Sequence, residues 1–155
     1  MNEQQYMDAA QALKVRLYRT ALLYLGSSSA AVDAVDEAIY KGFLSYKKLR
    51  QPDYFNTWLT RILINVCSDE LRRRGRMATL DELPETAAEQ FDALPLREAV
   101  ERLPRQLREV IILRYFTGCT LAETAEILDL PPGTVSTQQR KALGLLRLEL
   151  SEEET

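Results

Sequence analysis

Thr120-Leu121-Ala122-Glu123-Thr124-Ala125-Glu126-Ile127-Leu128-Asp129-Leu130-Pro131-Pro132-Gly133-Thr134-Val135 begins with a capping box and ends in a turn. In the Thr-x-x-Glu pattern, the Thr120 hydroxyl accepts from the amide at Glu123 while the Glu123 carboxylate accepts from the Thr120 amide, which starts a helix. That helix is expected to reach about Asp129, and Pro131, Pro132 and Gly133 then turn the chain into a last helix over about 133–150. On the last helix Val135, Ala142 and Leu146 fall inward, whereas Ser136, Thr137, Arg140 and Arg147 fall outward. A capped helix, a short turn and an amphipathic helix have the proportions of a helix-turn-helix. In such a unit the start of the second helix enters the major groove, and its amides and first-turn hydroxyls meet phosphates. Helical hairpins of similar spacing also serve pure interaction domains, so the shape by itself leaves both uses open.

Working upstream, the spacing predicts short helices near 96–102 and 105–116, with Pro104 at a first helical position and Gly118 as a stop. Thr79 to Pro95 holds two prolines and five acids with little periodicity, and reads as a linker. Before it, a first helix is expected from Glu3 to Leu25, ended by Gly26 and Ser27 to Ser29, then a second over about Ser29 to Leu49. Pro52 punctuates the gap before a third, about Asp53 to Arg74. No strand-like alternation competes with helix. The fold class is therefore all-α: a three-helix N-terminal bundle (1–78) and a four-helix helix-turn-helix domain (96–150), joined by an acidic linker (79–95) and followed by an acidic tail (151–155).

Charge distribution matters more than the total of -3 over 155 residues. Residues 1–80 carry 12 Lys/Arg against 8 Asp/Glu, residues 81–95 carry five acids and no base, and Glu149, Glu152, Glu153 and Glu154 crowd the end. Two mildly basic blocks are thus separated and followed by acid, a pattern compatible with a nucleic-acid partner. The absence of histidine removes imidazole acid–base chemistry and the commonest zinc sites, and Cys67 and Cys119 alone make no metal site. Both cysteines lie in apolar helical stretches, where a thiol behaves as a small hydrophobe. No convergent nucleophile and base, phosphate loop or cofactor motif is found, so neither catalysis nor a cofactor is expected. The polar opening residues do not read as a signal peptide, and no apolar run approaches the roughly 20 residues of a membrane span, so a cytoplasmic protein is expected.

Helical angles single out two faces in the N-terminal half. On the second helix Val32, Val35, Ile39 and Phe43 share one side, expected to face the core, while Asp33, Asp36, Glu37 and Tyr40 share the other. An acidic face with one aromatic is either solvated or a docking surface for a basic partner helix. The third helix is apolar around most of its circumference, with Phe55, Leu59, Ile62 and Val66 on one side and Ile64, Cys67 and Leu71 on another. What stays polar is a strip of Arg61, Asn65, Ser68 and Arg72, edged by Asp69 and Arg76 and followed by Arg73 and Arg74. Arginine forks suit phosphate, and neutral amide or hydroxyl groups beside them can read base edges. The same arginines could instead complement a helix C-terminus and remain solvated.

Taken in order, four stretches resemble the extracytoplasmic-function (ECF) sigma factors of bacteria, across nearly the whole chain. Ala31-Val32-Asp33-Ala34-Val35-Asp36-Glu37-Ala38-Ile39-Tyr40 is similar to that family's polymerase-binding helix. Phe55-Asn56-Thr57-Trp58-Leu59-Thr60-Arg61-Ile62-Leu63-Ile64-Asn65, continuing through Asp69 to Arg76, resembles its promoter-melting helix. Leu103-Pro104-Arg105-Gln106-Leu107-Arg108-Glu109-Val110-Ile111-Ile112-Leu113-Arg114-Tyr115-Phe116 resembles the lead-in to its second domain, and Leu121 to Val135 its helix-turn-helix. The resemblance implies a non-enzymatic subunit that directs core RNA polymerase to promoter DNA, as duplex and as melted strand. Asp33, Asp36, Glu37 and Tyr40 would dock on the coiled-coil clamp of the polymerase's largest subunit. Asn65, Asp69 and the loop Leu49 to Tyr54 would recognise the minus-ten element, with Ser68 on the same strip and Tyr54 and Trp58 as stacking candidates. Arg61, Arg72, Arg73, Arg74 and Arg76 would hold phosphates. Thr134, Ser136, Thr137, Gln138, Arg140 and Lys141 would face the minus-thirty-five element. An anti-sigma factor is a further implied partner.

The chain departs from the family pattern at several positions. Asp36 stands where glutamine is usual, Thr124 where isoleucine is usual, Gln139 where leucine is usual, and Ser136 and Gln138 replace residues that are commonly basic. Looser packing and a less electrostatic duplex contact are expected in the second domain. Two other readings compete: a helix-turn-helix regulator that does not engage polymerase, and a helical adaptor that binds only proteins. The first leaves the acidic face of the second helix and the Asn65 strip without a job.

Overall fold

Asn2 accepts a hydrogen bond from the Gln5 amide, and the Gln5 side chain accepts one from the Asn2 amide, both at 2.8 Å; this capping box starts α1 (Glu3–Leu25). The computed structural model describes residues 1–76 and 94–153, and the chain divides into two compact units, Met1–Thr86 and Ala87–Thr155. Among the described residues every regular element is helical. The linker expected at 79–95 falls, up to residue 93, outside the described residues, as do the side chains of the acidic tail.

In the first unit, Gly26 takes the left-handed conformation (φ 69°) that glycine adopts without steric cost, and its amide closes α1 on the Leu22 carbonyl. The Ser27 hydroxyl then accepts from the Ala30 amide and starts α2 (Ser28–Ser45). A 3-10 turn (Tyr46–Lys48) ends α2, and a second (Pro52–Tyr54) leads into α3 (Phe55–Arg76). All three helices pack against one another around Tyr6, Leu17, Leu22, Val35, Leu59 and Leu63, each under 2% exposed. Burying one such side chain contributes about 1.5–3 kcal/mol.

The buried side of α2 differs from the expected stripe. Val35 faces the core, but its companions are Ala31, Ala34, Ala38 and Gly42, while Val32 and Phe43 are 47% and 39% exposed and Ile39 is half-buried. Small residues win because they let the α2 backbone approach α1 closely. The Tyr6 hydroxyl donates to the Ile39 carbonyl, and a Cβ at Gly42 would lie 2.5 Å from that hydroxyl oxygen. On α3, Phe55, Leu59, Ile64, Val66 and Cys67 are buried as expected, together with Leu63, and Ile62 and Leu71 are half-buried.

In the second unit, α4 (Leu94–Arg102) and α5 (Arg105–Ile111) are short, and Pro104 is the residue preceding α5 rather than its first. The chain then widens into a π-helical turn (Ile112–Thr117) that stops at Gly118, again left-handed at φ 85°. The Thr120 and Glu123 capping box is present at 3.1 and 2.8 Å and starts α6 (Leu121–Leu128). Asp129 takes φ 56°, a left-handed turn that aspartate tolerates better than most residues, and the chain turns into α7 (Pro132–Glu153). Helix α7 packs against α4, α5 and α6, burying Val135, Ala142 and Leu146.

The two departures expected to loosen this unit are accommodated. Thr124 is fully buried, and its hydroxyl donates to the Thr120 carbonyl at 2.8 Å, so no polar atom of it is stranded. Gln139 accepts from Arg114 Nε at 2.8 Å. Polar pairing replaces apolar contact at both places.

Candidate functional site

Three outward faces carry the candidate residues. On α2, Asp33, Asp36, Glu37 and Tyr40 are all exposed, Tyr40 at 55%. Glu37 pairs with Lys41 at 3.3 Å, an exposed contact worth about 0.3–0.5 kcal/mol that a partner's cation could displace. The sequence reading missed the apolar part of this face. Val32, Phe43 and Leu44 (67% exposed) alternate with the acids around the helix, so it offers hydrophobic contact as well as charge. The signal was the run Ala31, Ala34, Ala38 and Gly42, whose small side chains mark the true packing side.

On α3, Arg61, Asn65 and Arg72 are exposed and Ser68 is half-buried, so the bundle leaves the polar strip facing outward. Asp69 lies exposed at its edge, ion-paired with Arg72. Arg73 donates to both carboxylate oxygens of Glu70, at 3.0 and 2.7 Å. That hydrogen bonding, helped by the charge of Arg74, holds the Glu70 carboxyl below its ordinary range. Such exposed helical pairs contribute only about 0–1 kcal/mol, so Arg72 and Arg73 can exchange their carboxylates for phosphate at little cost.

Arg74 is tied back to α1. Its Nη1 donates to the Leu25 carbonyl at 2.7 Å, satisfying the C-terminal end of α1 from 49 residues away, while its Nε pairs with Glu70 at 3.4 Å. Arg74, expected to hold phosphate, thus already donates to a backbone carbonyl of its own unit. The side chain of Arg76 lies outside the described residues. Tyr54, half-buried, ends the 3-10 turn beside α3, and Trp58, also half-buried, packs on Phe55 at 5.9 Å between ring centroids. Cys67 is fully buried, and burial pushes its thiol up to about 12, so it stays protonated at neutral pH.

On α7, Thr134, Thr137, Arg140 and Lys141 are exposed and share the outward side. The Thr137 hydroxyl donates to the Gly133 carbonyl at 3.0 Å and keeps its lone pairs for a ligand. Ser136 and Gln138 are half-buried, on opposite flanks. The Gln138 Oε1 is buried without a hydrogen-bond partner, which sets Gln138 apart from the outward group. Among the described residues no helix is long and apolar enough to cross a membrane.

Two helical units, one with a polar strip on its third helix and one built as a helix-turn-helix, define a protein of the sigma-70 type. The family model "Sigma-70 region 2" matches residues 9–77, and "Sigma-70, region 4" matches residues 93–146. RNA polymerase sigma factor SigV of Bacillus subtilis is 32% identical over 146 residues, covering 91% of this chain and 88% of its own. ECF RNA polymerase sigma factor SigW of the same organism is 27% identical over 165 residues, covering 94% and 88%. Among solved structures, the sigma factor RpoE in complex with the anti-sigma factor NepR from Bartonella quintana has a TM-score of 0.77 at 22% identity, covering 96% of each chain. CnrH in complex with the cytosolic domain of CnrY has a TM-score of 0.79 at 21% identity, covering 97% of this chain and 90% of that one. Both likenesses are of fold. The chain belongs to the ECF sigma factor family.

Proposed function

We infer that this protein is a non-catalytic, cytoplasmic subunit that binds core RNA polymerase, carries it to specific promoters and opens them. The observation that carries the reading is the outward strip of Arg61, Asn65, Ser68 and Arg72 on α3, which the bundle core does not consume, on the same unit as the acidic and apolar face of α2. Asp33, Asp36, Glu37 and Tyr40, with Val32 and Leu44 beside them, dock on the polymerase's coiled-coil clamp. Asn65, Asp69 and Tyr54 act at the minus-ten element, where withdrawing a base from the stack costs a few kcal/mol that pocket contacts must recover. Arg61, Arg72 and Arg73 hold the strand's phosphates. Thr134, Thr137, Arg140 and Lys141 meet the minus-thirty-five duplex, with Ser136 at the margin. The five acids between Asp81 and Asp92 suit the polymerase's positively lined channels by charge. An anti-sigma factor holds the protein inactive by covering these surfaces.

Run-off transcription with purified core polymerase on a genomic template library tests the reading. Discrete start sites that depend on the added protein are expected. Failure to bind core polymerase, with duplex DNA binding intact, would replace it with a regulator that acts alone.

A further inference from the structure

Gln139 lies close to the contact surface of α7 yet points toward the rest of its own unit, and what it touches carries a consequence for the DNA face. Arg114, half-buried on the π-helical turn, donates from Nε to Gln139 Oε1 and from Nη1 to the Cys119 carbonyl, both at 2.8 Å. Cys119 immediately precedes the Thr120 cap of α6. One planar guanidinium therefore bonds both the start of α6 and the second turn of α7 through two donors held in a fixed fork, a geometry that a lysine ammonium does not reproduce. The π turn widens the backbone at that point, and the Gly118 and Cys119 amides both return to the Leu113 carbonyl.

Among the described residues, α7 also buries Val135, Ala142 and Leu146, and apolar contact of this kind is non-directional. A two-ended hydrogen bond is directional, and so refines the rotation about the helix axis that these apolar contacts set broadly. Gln139 stands about 60° from Ser136 and about 100° from Arg140 around α7, so a change in its seating turns the DNA face as a whole.

Resting on the reading of α7 as the duplex-reading helix, we propose that Arg114 and Gln139 are a positioning pair that sets the rotation of α7 and thereby the minus-thirty-five sequence this factor prefers. Neither residue need touch a base.

The test uses holoenzyme reconstituted from core polymerase and the full chain, bound to a promoter library randomised over the minus-thirty-five element with the minus-ten element fixed. Gln139→Leu removes the acceptor at similar size, Arg114→Lys keeps the charge but loses the fixed fork, and Gln139→Glu keeps an acceptor for Arg114. The first two are expected to change the ranking of minus-thirty-five sequences and to lose about tenfold in discrimination between the wild type's best sequence and its single-base variants. Core-polymerase affinity and the salt dependence of binding should hold, because phosphate contacts are untouched. Gln139→Glu should retain the wild-type ranking. An unchanged ranking in Gln139→Leu, or an even loss across all sequences, overturns the proposal, and this variant decides should Arg114→Lys lose its helical signal. A wild-type holoenzyme indifferent to the randomised element would remove the reading of α7 itself, and the pair with it.

Discussion

The arginines of the two units have opposite occupations. In the first unit Arg61, Arg72 and Arg73 are exposed on or beside α3, and Arg74 donates to a backbone carbonyl. In the second unit Arg97 is only 6% exposed, and Arg108 and Arg114 donate to the Glu101 and Cys119 carbonyls. The first unit packs a largely apolar interior of close-fitting aromatic and small residues and leaves its cations outside. The second uses cations as structure and keeps few free on α7. Net charge along the chain cannot distinguish these uses, because a guanidinium bound to a carbonyl and one awaiting phosphate count the same.

The largest effect that would test the close fit of the first unit is Gly42→Ala. A Cβ there meets the Tyr6 hydroxyl oxygen at 2.5 Å and Leu59 Cδ1 at 3.0 Å, and the Tyr6 ring is held between Tyr46 at 5.2 Å and Phe55 at 5.8 Å. Stability should fall by about 3 kcal/mol, the upper part of the overpacking range. Urea unfolding followed by Trp58, the single tryptophan, reports this unit directly. A loss of only a few tenths would mean that the α1 and α2 backbones have room to part.

Next come two neighbours that the comparison treats as different. Arg74→Met removes a charged hydrogen bond to the Leu25 carbonyl and should cost about 2 kcal/mol. Arg73→Met breaks the pair with Glu70 and should cost about 0–1 kcal/mol, yet reduce the salt dependence of promoter binding. Equal stability losses with equal DNA effects would erase the distinction between scaffold and contact arginines.

A smaller change of opposite sign is expected at Arg97. It is buried, its Nε pairs with Glu101 at 3.1 Å, and its Nη1 has no partner. Replacing a buried, incompletely satisfied cation by an apolar side chain is often neutral or stabilising, so Arg97→Met should raise stability by about 1 kcal/mol. Thermal unfolding followed by circular dichroism measures it, and a clear loss would show that the guanidinium is indispensable to the second unit.

Much of this was legible in the sequence. The end of α1 follows from Gly26, and the capping box at Thr120 and Glu123 fixes the start of α6. The outward strip on α3 follows from helical angles because its polar residues interrupt an otherwise apolar helix. The packing side of α2 was misread because hydrophobicity ranks Val32 and Phe43 above Ala31, Ala38 and Gly42, whereas close helix approach selects for small size. The scaffold role of Arg74 was hidden because its acceptor is a carbonyl 49 residues away. The Arg114 to Gln139 bridge joins residues 25 apart, and Gln139 could be seen only as a misfit on an apolar side until the π turn brought Arg114 to it.

The smallest effect, and the one that sets the units against each other in sign, concerns two glutamates. Hydrogen bonds from Arg73 hold the Glu70 carboxyl low, so its contribution is present above the ordinary glutamate range and is lost as pH falls through its folded pKa. Burial raises Glu109, against the opposing pull of Arg105 and Arg108, so the folded second unit keeps a proton that the unfolded chain has already released. Its contribution is therefore full below the ordinary glutamate range and is lost as pH rises through the folded pKa. Acidification from neutrality toward that range should thus favour the second unit locally. Glu109→Gln should remove this slope and leave stability at pH 7 unchanged or higher, since the neutral amide is spared the cost of a buried charge. Urea unfolding of wild type and variant at pH 5 and pH 7, with amide exchange in α5 to separate this unit from Trp58, measures both quantities. A variant less stable than wild type at pH 7 would show that the pair with Arg105, at 3.4 Å, outweighs desolvation, and the polar interior of the second unit would then be stabilising in its ionised form.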